Sequence, residues 1–238
     1  MALSVRRADL PTIGPLRVVV SRSALTANAR TAGAGAVADL RRDAFGHGIE
    51  PAAAAVAAAG VREAVVDAAA RPVAEAAGLT ATDASPTLDS RTLYGLPGGG
   101  GTPAMRLHGS VLSTKFLLAG EGVSYNATHI AAHDTRVALV SGGFGQGVVR
   151  SIGNTATGEI GGRRHPIVGR VAMDVCVVDI GEQDVTPGAD VVYFGSGLVR
   201  DELAVWERTS GLTGAELVCA LGVRGGTPGL WLRREVAA

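Results

Sequence analysis

The 238-residue sequence predicts an α+β fold: a βαβα segment, a Gly/Pro-rich connector, and an antiparallel β-barrel or sandwich domain with short terminal helices. Three observations carry that expectation. Between about residues 17 and 77, short β-branched runs alternate with alanine-rich stretches stopped by Gly60 and Gly78, the texture of parallel α/β units. From Thr80 to Pro103 the chain is rich in Thr, Asp, Ser, Pro and Gly, with consecutive glycines at Gly98 to Gly101, and reads as a linker or loop. From Met105 onward, short strand-like runs follow one another at close spacing. The expected boundaries are 16–79, 80–104 and 105–238.

Taken in order, residues 1–15 show no period and stay unassigned. Arg17 to Ser21 is a strand, followed by a helix from Ser23 to about Ala32 with Ser21 or Ser23 as N-cap. Ala36 to Arg41 is a second strand, ending in the turn Asp43-Ala44-Phe45-Gly46-His47-Gly48. Glu50 to Ala59 is a helix with Pro51 in its first turn. Arg62 to Asp67 is a strand, and a short helix starts at Pro72 and runs to Ala77. In the second half the expected strands are 106–114, 122–125, 137–141, 158–161, 167–180 and 190–194. Helices follow at 201–210 and 215–221, the second opened by a capping box in Thr213 and Glu216. A last strand covers 230–233.

Composition narrows the class. Apolar residues are 47% of the chain, aromatics 4% and charged residues 18%, so the interior must be mostly Ala, Val and Leu. Net charge is zero and no basic run stands out, which argues against nucleic acid or an anionic membrane as partner. No window reaches the roughly 20 apolar residues of a spanning helix, and Arg6-Arg7 is not followed by an apolar signal core. The expectation is a cytoplasmic protein. Cys176 and Cys219 sit in apolar surroundings and read as two reduced, buried thiols. His129 and His133 are four apart with no third ligand placed by spacing, so no metal is expected.

The densest stretch is His165 to Gly181 (His-Pro-Ile-Val-Gly-Arg-Val-Ala-Met-Asp-Val-Cys-Val-Val-Asp-Ile-Gly). Its core reads as a buried strand broken by Asp174 and Asp179, polar members that need a partner or a task. Together with Gly120-Glu121-Gly122-Val123-Ser124-Tyr125, it resembles the C-terminal domain of alanine racemases, pyridoxal-phosphate enzymes that interconvert L- and D-alanine. Upstream, Leu40-Arg41-Arg42-Asp43-Ala44-Phe45-Gly46-His47-Gly48 is similar to the family's lysine-bearing motif, Val-Lys-Ala-Asp-Ala-Tyr-Gly-His-Gly.

The resemblance implies that the βαβα segment is a truncated remnant of a (β/α) barrel, with an internal deletion before the β domain. It implies pyridoxal phosphate as the family cofactor and D-alanine for peptidoglycan as the family product. It puts Arg41 where the family has its Schiff-base lysine and Phe45 where it has a phosphate-contacting tyrosine. Tyr125 falls on the family's second catalytic base, which reaches across a homodimer, and Met173 and Asp174 fall on its substrate-region Met-Asp pair. Gly143-Phe144-Gly145-Gln146-Gly147 lies where the family has Gly-Tyr-Ala-Asp-Gly, followed by an arginine that matches Arg150. The last phosphate-binding tyrosine falls near Ala215.

An arginine neither forms a stable imine nor serves readily as a base near neutral pH. Lys115 is the only lysine in the sequence and reads as a surface residue. The expectation is therefore a racemase-family chain inactive alone, or a non-enzymatic paralogue that pairs with itself or with a full-length racemase. Two or three parallel strands leave an open edge, which favours a dimer.

Overall fold

The computed structural model describes residues 16–33, 35–223 and 231–236, the side chains of Tyr125, Val223 and 231–236 excepted. Its centre is a ring of six antiparallel strands: β5 (Met105–Leu117), β8 (Thr135–Ser141), β11 (Val175–Asp179), β10 (Arg163–Val168), β9 (Thr157–Ile160) and β12 (Asp190–Phe194). The sheet order β12-β9-β10-β11-β8-β5 is closed by a further pairing of β12 with β5, giving a barrel. Closure removes the edges that an open sheet of this size would expose. β5 serves three neighbours along its length, with a register shift between Val111 and Ser113 inside its pairing with β8.

The first strand, β1 (Leu16–Ser21), belongs to this sheet. It pairs antiparallel with β5 (Val18 opposite Leu107) and parallel with β13 (Trp231–Val236). Sequence grouped residues 16–21 with the parallel segment. The run Arg-Val-Val-Val-Ser specifies a strand and says nothing of its partner.

The remaining N-terminal units form a separate parallel sheet ordered β2-β3-β4, from β2 (Val37–Asp39), β3 (Glu63–Val65) and β4 (Thr80–Ala81). Helices α1 (Arg22–Ala29), α3 (Ile49–Ala58) and α4 (Arg71–Ala76) alternate with them. Two of these starts follow from sequence: Ser21 Oγ accepts from the Ala24 amide at 3.2 Å, and a proline sits in the first turn of α4.

The outer edge of β2 is not open. Backbone amides of Thr87 and Leu88 donate to the Val37 carbonyl at 3.0 Å each, and the Val37 amide donates to Thr87 Oγ1 at 2.9 Å. The stretch expected as a linker is folded: α5 (Ser90–Tyr94) starts on the Asp89 carboxylate, which accepts from the Arg91 and Thr92 amides. Leu88, Leu93, Tyr94 and Leu96 are buried. Asn28 fastens it from α1, donating to the Leu93 and Thr102 carbonyls and accepting from the Thr102 amide at 2.8 to 3.0 Å. One contiguous core runs from the N-terminal helices through this connector into the barrel interior.

The expected long strand 167–180 is two strands, β10 and β11, separated by a turn at Gly169 (φ 73°). The expected strand 122–125 is shorter, β6 (Gly122–Val123), paired with β7 (His129–Ile130). Helices α6 (Leu203–Ser210) and α7 (Gly214–Val223) close the barrel's flank. α7 carries the expected capping box: the Glu216 carboxylate accepts from the Thr213 amide at 2.8 Å, and Thr213 Oγ1 accepts from the Glu216 amide at 3.3 Å.

Candidate active site

Arg41 opens α2 (Arg41–Phe45), a single turn directly after β2. Arg42, Asp43, Ala44 and Phe45 all lie at positive φ, between 52° and 56°, in the left-handed region. Each such non-glycine residue costs on the order of 1–2 kcal/mol, so the turn persists only because its surroundings fix it. The Asp67 carboxylate accepts from the Arg42 amide at 2.5 Å, and Asp43 accepts from the Ile49 amide through Oδ1 at 2.8 Å. Behind the turn, Gly46 crosses α7 at Gly222. A methyl on Gly46 would meet the Val218 carbonyl oxygen at 2.6 Å and Gly222 Cα at 2.8 Å.

The Arg41 guanidinium is held as a fork. Its Nε donates to Asp39 Oδ1 at 2.9 Å and its Nη2 to Asp39 Oδ2 at 2.5 Å, and the Arg41 amide reaches Oδ1 at 3.1 Å. The Asp39 side chain is 8% exposed and that of Arg41 50%. Burial alone would raise the Asp39 carboxyl, but the hydrogen bonds and charge of Arg41 outweigh it and hold the group below its ordinary value. The same hydrogen bonds raise Arg41 further. Beside the pair lies a cleft of about 380 Å³ lined by Asp39, Arg41, Arg42, Phe45, Ala215, Glu216 and Cys219. Sequence reading named Arg41, Phe45 and Ala215. It missed Asp39, whose signal was an acid at a strand end two residues before an arginine.

Tyr125 lies at the tip that joins β6 to β7; its backbone is described and its side chain lies outside the described residues. Ser124, Asn126 and Ala127 all have positive φ (64°, 63° and 43°). The tip is tied to the Gly169–Arg170 turn: the Arg170 amide donates to Ser124 Oγ at 2.6 Å, and the Gly169 amide donates to Asn154 Oδ1 at 2.6 Å. A second cleft of about 490 Å³ opens beside it, lined by Thr128, Arg150, Ser151, Gly153, Asn154 and Arg170. The clefts beside Arg41 and beside the tip share no lining residue.

Met173 and Asp174 lie in the turn before β11. Met173 is 59% exposed, and its carbonyl accepts from the Gly145 amide at 2.8 Å. The Asp174 carbonyl accepts from the Gly142 amide at 2.9 Å. Facing this turn, the Gly143 amide donates to the buried Gln146 side chain at 3.0 Å, so Gln146 closes its own loop. The Arg150 guanidinium carbon sits 5.3 Å from the Phe144 ring centroid, a cation–π contact. Lys115 is exposed on β5, opposite Val137. No helix among the described residues is long and apolar enough to cross a membrane.

Residues 104–226 match the family model of the alanine racemase C-terminal domain. The alanine racemase of Mycobacterium ulcerans (strain Agy99) is 47% identical over 97 residues, covering 40% of this chain and 25% of that protein. That of Mycobacterium leprae (strain TN) is 41% identical over 122 residues, 50% of this chain and 31% of the other. The chain thus spans under a third of the length of these relatives. Among solved structures, alanine racemase from Streptomyces coelicolor A3(2) superposes with a TM-score of 0.76 at 19% identity, over 97% of this chain and 100% of that one. Alanine racemase from Bartonella henselae, a structure with covalently bound pyridoxal phosphate, gives 0.75 at 15% identity over 94% and 100%. These two structural likenesses bear on the fold alone. With more than half its length matched by the family model, and with the six-stranded barrel in place, the chain belongs to the alanine racemase family.

Proposed function

We propose that this chain, acting alone, does not interconvert L- and D-alanine. The observation that carries the reading is the Asp39–Arg41 fork, at the position where the resemblance puts the family's Schiff-base lysine. A guanidinium that stays protonated and is bonded through two nitrogens to a carboxylate offers no lone pair to an aldehyde. The rest of the cleft does not fit pyridoxal phosphate either. Phe45 and Ala215 present a ring and a methyl where the resemblance puts phosphate-contacting hydroxyls, and the Asp39 and Glu216 carboxylates offset the charge of Arg41 and Arg42 in the same space, so the cleft offers a phosphate no net positive charge. The covalent cofactor seen in the Bartonella henselae relative has no counterpart amine here.

The test is to incubate the purified chain with pyridoxal phosphate, reduce with borohydride, and locate any adduct by peptide mass mapping, which separates residue 41 from the exposed Lys115, with D-alanine formation assayed in parallel. No added mass at residue 41 and no D-alanine are expected; an adduct there accompanied by turnover overturns the reading.

A second reading is that the chain serves as a pairing subunit, with itself or with a full-length racemase, and presents the Tyr125 tip to that partner's barrel. What favours it is the tip: its strained backbone is tied down by two side chains, although the chain's own lysine position carries an arginine. Co-expression with an intact racemase followed by affinity capture should yield a mixed complex. Recovery of each chain only by itself rejects the mixed pairing.

A further inference from the structure

We infer that Ser124 and Asn154 are positioning residues: together they clamp both ends of the Tyr125 tip onto the Gly169–Arg170 turn and so fix the backbone that carries Tyr125.

The geometry is specific. Ser124 has φ 64° and ψ −178°, a conformation close to glycine territory, yet it carries a side chain. Its Oγ accepts from the Arg170 amide at 2.6 Å, and this bond supplies a reason to keep a serine in an unfavourable backbone. Asn154 likewise holds a positive φ of 64°, which asparagine tolerates better than most residues. Its carboxamide bridges the far end of the tip to the same turn: Oδ1 accepts from the Gly169 amide at 2.6 Å, while Nδ2 approaches the Thr128 carbonyl at 3.5 Å and its hydroxyl at 3.4 Å. The Asn154 amide donates to the Ile167 carbonyl at 2.8 Å, so the clamp is anchored in the barrel wall.

Gly169 completes the contact. A methyl there would lie 2.4 Å from Ser124 Oγ and 2.7 Å from its Cβ, so the two segments meet at a distance only glycine allows. Ser124 and Thr128 bracket Tyr125: Ser124 bonds the Arg170 amide directly, and Thr128 reaches Gly169 through Asn154. The tip is thereby registered against the barrel through side chains, with the ladder of β6 and β7 supplying only two residue pairs.

The functional consequence rests on the pairing reading above, whereas the clamp is measured in the isolated chain. The chain has three tyrosines, Tyr94, Tyr125 and Tyr193, so 3-fluorotyrosine gives three ¹⁹F lines assignable by Tyr→Phe variants. The expected result is a Tyr125 line displaced from free fluorotyrosine in the wild-type chain. In Ser124→Gly and Asn154→Gly that line returns toward the free position, while the Tyr94 and Tyr193 lines and the thermal midpoint hold. Glycine relieves the positive φ but also adds backbone freedom, so Ser124→Ala, which removes the hydroxyl and keeps Cβ, is run beside it and should move the Tyr125 line likewise. Asn154→Asp keeps the acceptor for the Gly169 amide but removes the donor to Thr128, so its Tyr125 line should move part of the way that the glycine variant's does. An unchanged Tyr125 line in both glycine variants overturns the clamp.

In a second arm, the chain is mixed with a full-length racemase whose own tip tyrosine is replaced by phenylalanine. Wild-type chain should restore racemisation, and the glycine variants should restore it at least about tenfold less in kcat, since small misplacements of a reacting group cost up to 10²-fold. Should the wild-type chain fail to restore activity while the fluorine lines behave as expected, the pairing reading falls and the clamp stands.

Discussion

The Tyr94 hydroxyl donates a 2.7 Å hydrogen bond to the backbone carbonyl of Asp39, the residue whose carboxylate holds Arg41. Tyr94 is 1% exposed, stacks on His47 with ring centroids 4.5 Å apart, and lies 5.0 Å from the Phe45 ring. The connector therefore plugs the inner side of the shortened parallel sheet and fixes the strand end that carries the candidate site. Burial drives the Tyr94 phenol well above its ordinary value, so it acts as a neutral donor throughout the working pH range.

Removing that hydroxyl should be costly without creating a cavity. Tyr94→Phe leaves the buried Asp39 carbonyl without this donor, a loss of about 1–3 kcal/mol. In a chain of this size 1 kcal/mol moves the melting temperature by about 2–4 °C. Tyr94→Ala, which also empties ring volume, should cost about 3–5 kcal/mol. Thermal melts followed by circular dichroism decide it; a Tyr94→Ala midpoint within 2 °C (roughly, on the same scale) of wild type rejects the plug.

The Asp39–Arg41 pair predicts a sign for acid stability. The folded Asp39 carboxyl lies below its ordinary value of 3.8. Its contribution is therefore fully present above that value and is lost as pH falls through the lower, folded one. Asp39→Asn should lower stability at pH 7 by about 1–2 kcal/mol, discounted because the arginine is half exposed. The melting temperature should also fall less steeply than in wild type as pH drops below about 4. Parallel slopes in the two proteins contradict the assignment.

Most single elements were legible in the sequence because their signals are local. Ser21, Pro72 and the Thr213–Glu216 box announce helix starts, and β12 follows the β-branched run at 190–194. What was not legible was pairing at long range. β1 joins β5, some 85–90 residues on, and nothing in Arg-Val-Val-Val-Ser points there. The fold of 80–104 was hidden by its glycines and prolines, although Asp89 two and three residues before Arg91 and Thr92 is an ordinary N-cap signal. Gly169 marked the break inside 167–180 and was overridden by the apolar run around it. At the candidate site the motif positions were readable, whereas Asp39, Ser124 and Asn154 act through backbone geometry that only three dimensions reveal.

Restoring an amine should separate the two defects of the Arg41 cleft. Arg41→Lys supplies a nucleophile beside Asp39, so pyridoxal phosphate at millimolar concentration should leave a borohydride-fixed adduct at position 41. Racemisation should still be absent, because Phe45 and Ala215 offer no hydroxyl to the phosphate. Peptide mass mapping and a D-alanine assay check both halves. D-alanine formation by this single variant shows that the remaining cleft is sufficient.

The crossing of α2 over α7 is a close backbone contact beside the Arg41 cleft. A methyl on Gly222 would lie 2.1 Å from Gly46 Cα and 2.6 Å from the Gly46 carbonyl oxygen, with no flexible side chain able to yield. Gly222→Ala must push α7 away from the left-handed turn, and a loss of at least about 2 kcal/mol follows. Because Cys219 is on the same helix and lines the same cleft, displacement should also be visible chemically. In the wild-type fold burial raises the Cys219 thiol, and Cys176, fully enclosed and bonded to the Tyr193 hydroxyl at 3.2 Å, is pushed up to about 12. At pH 8 a disulfide reagent should therefore label Cys219 slowly and leave Cys176 untouched until the chain is unfolded. In Gly222→Ala, Cys219 should label faster while Cys176 stays protected, since the barrel interior is not part of the crossing. Equal acceleration at both thiols would mean that the variant loosens the whole core, and the local account of the Gly46–Gly222 contact would fail.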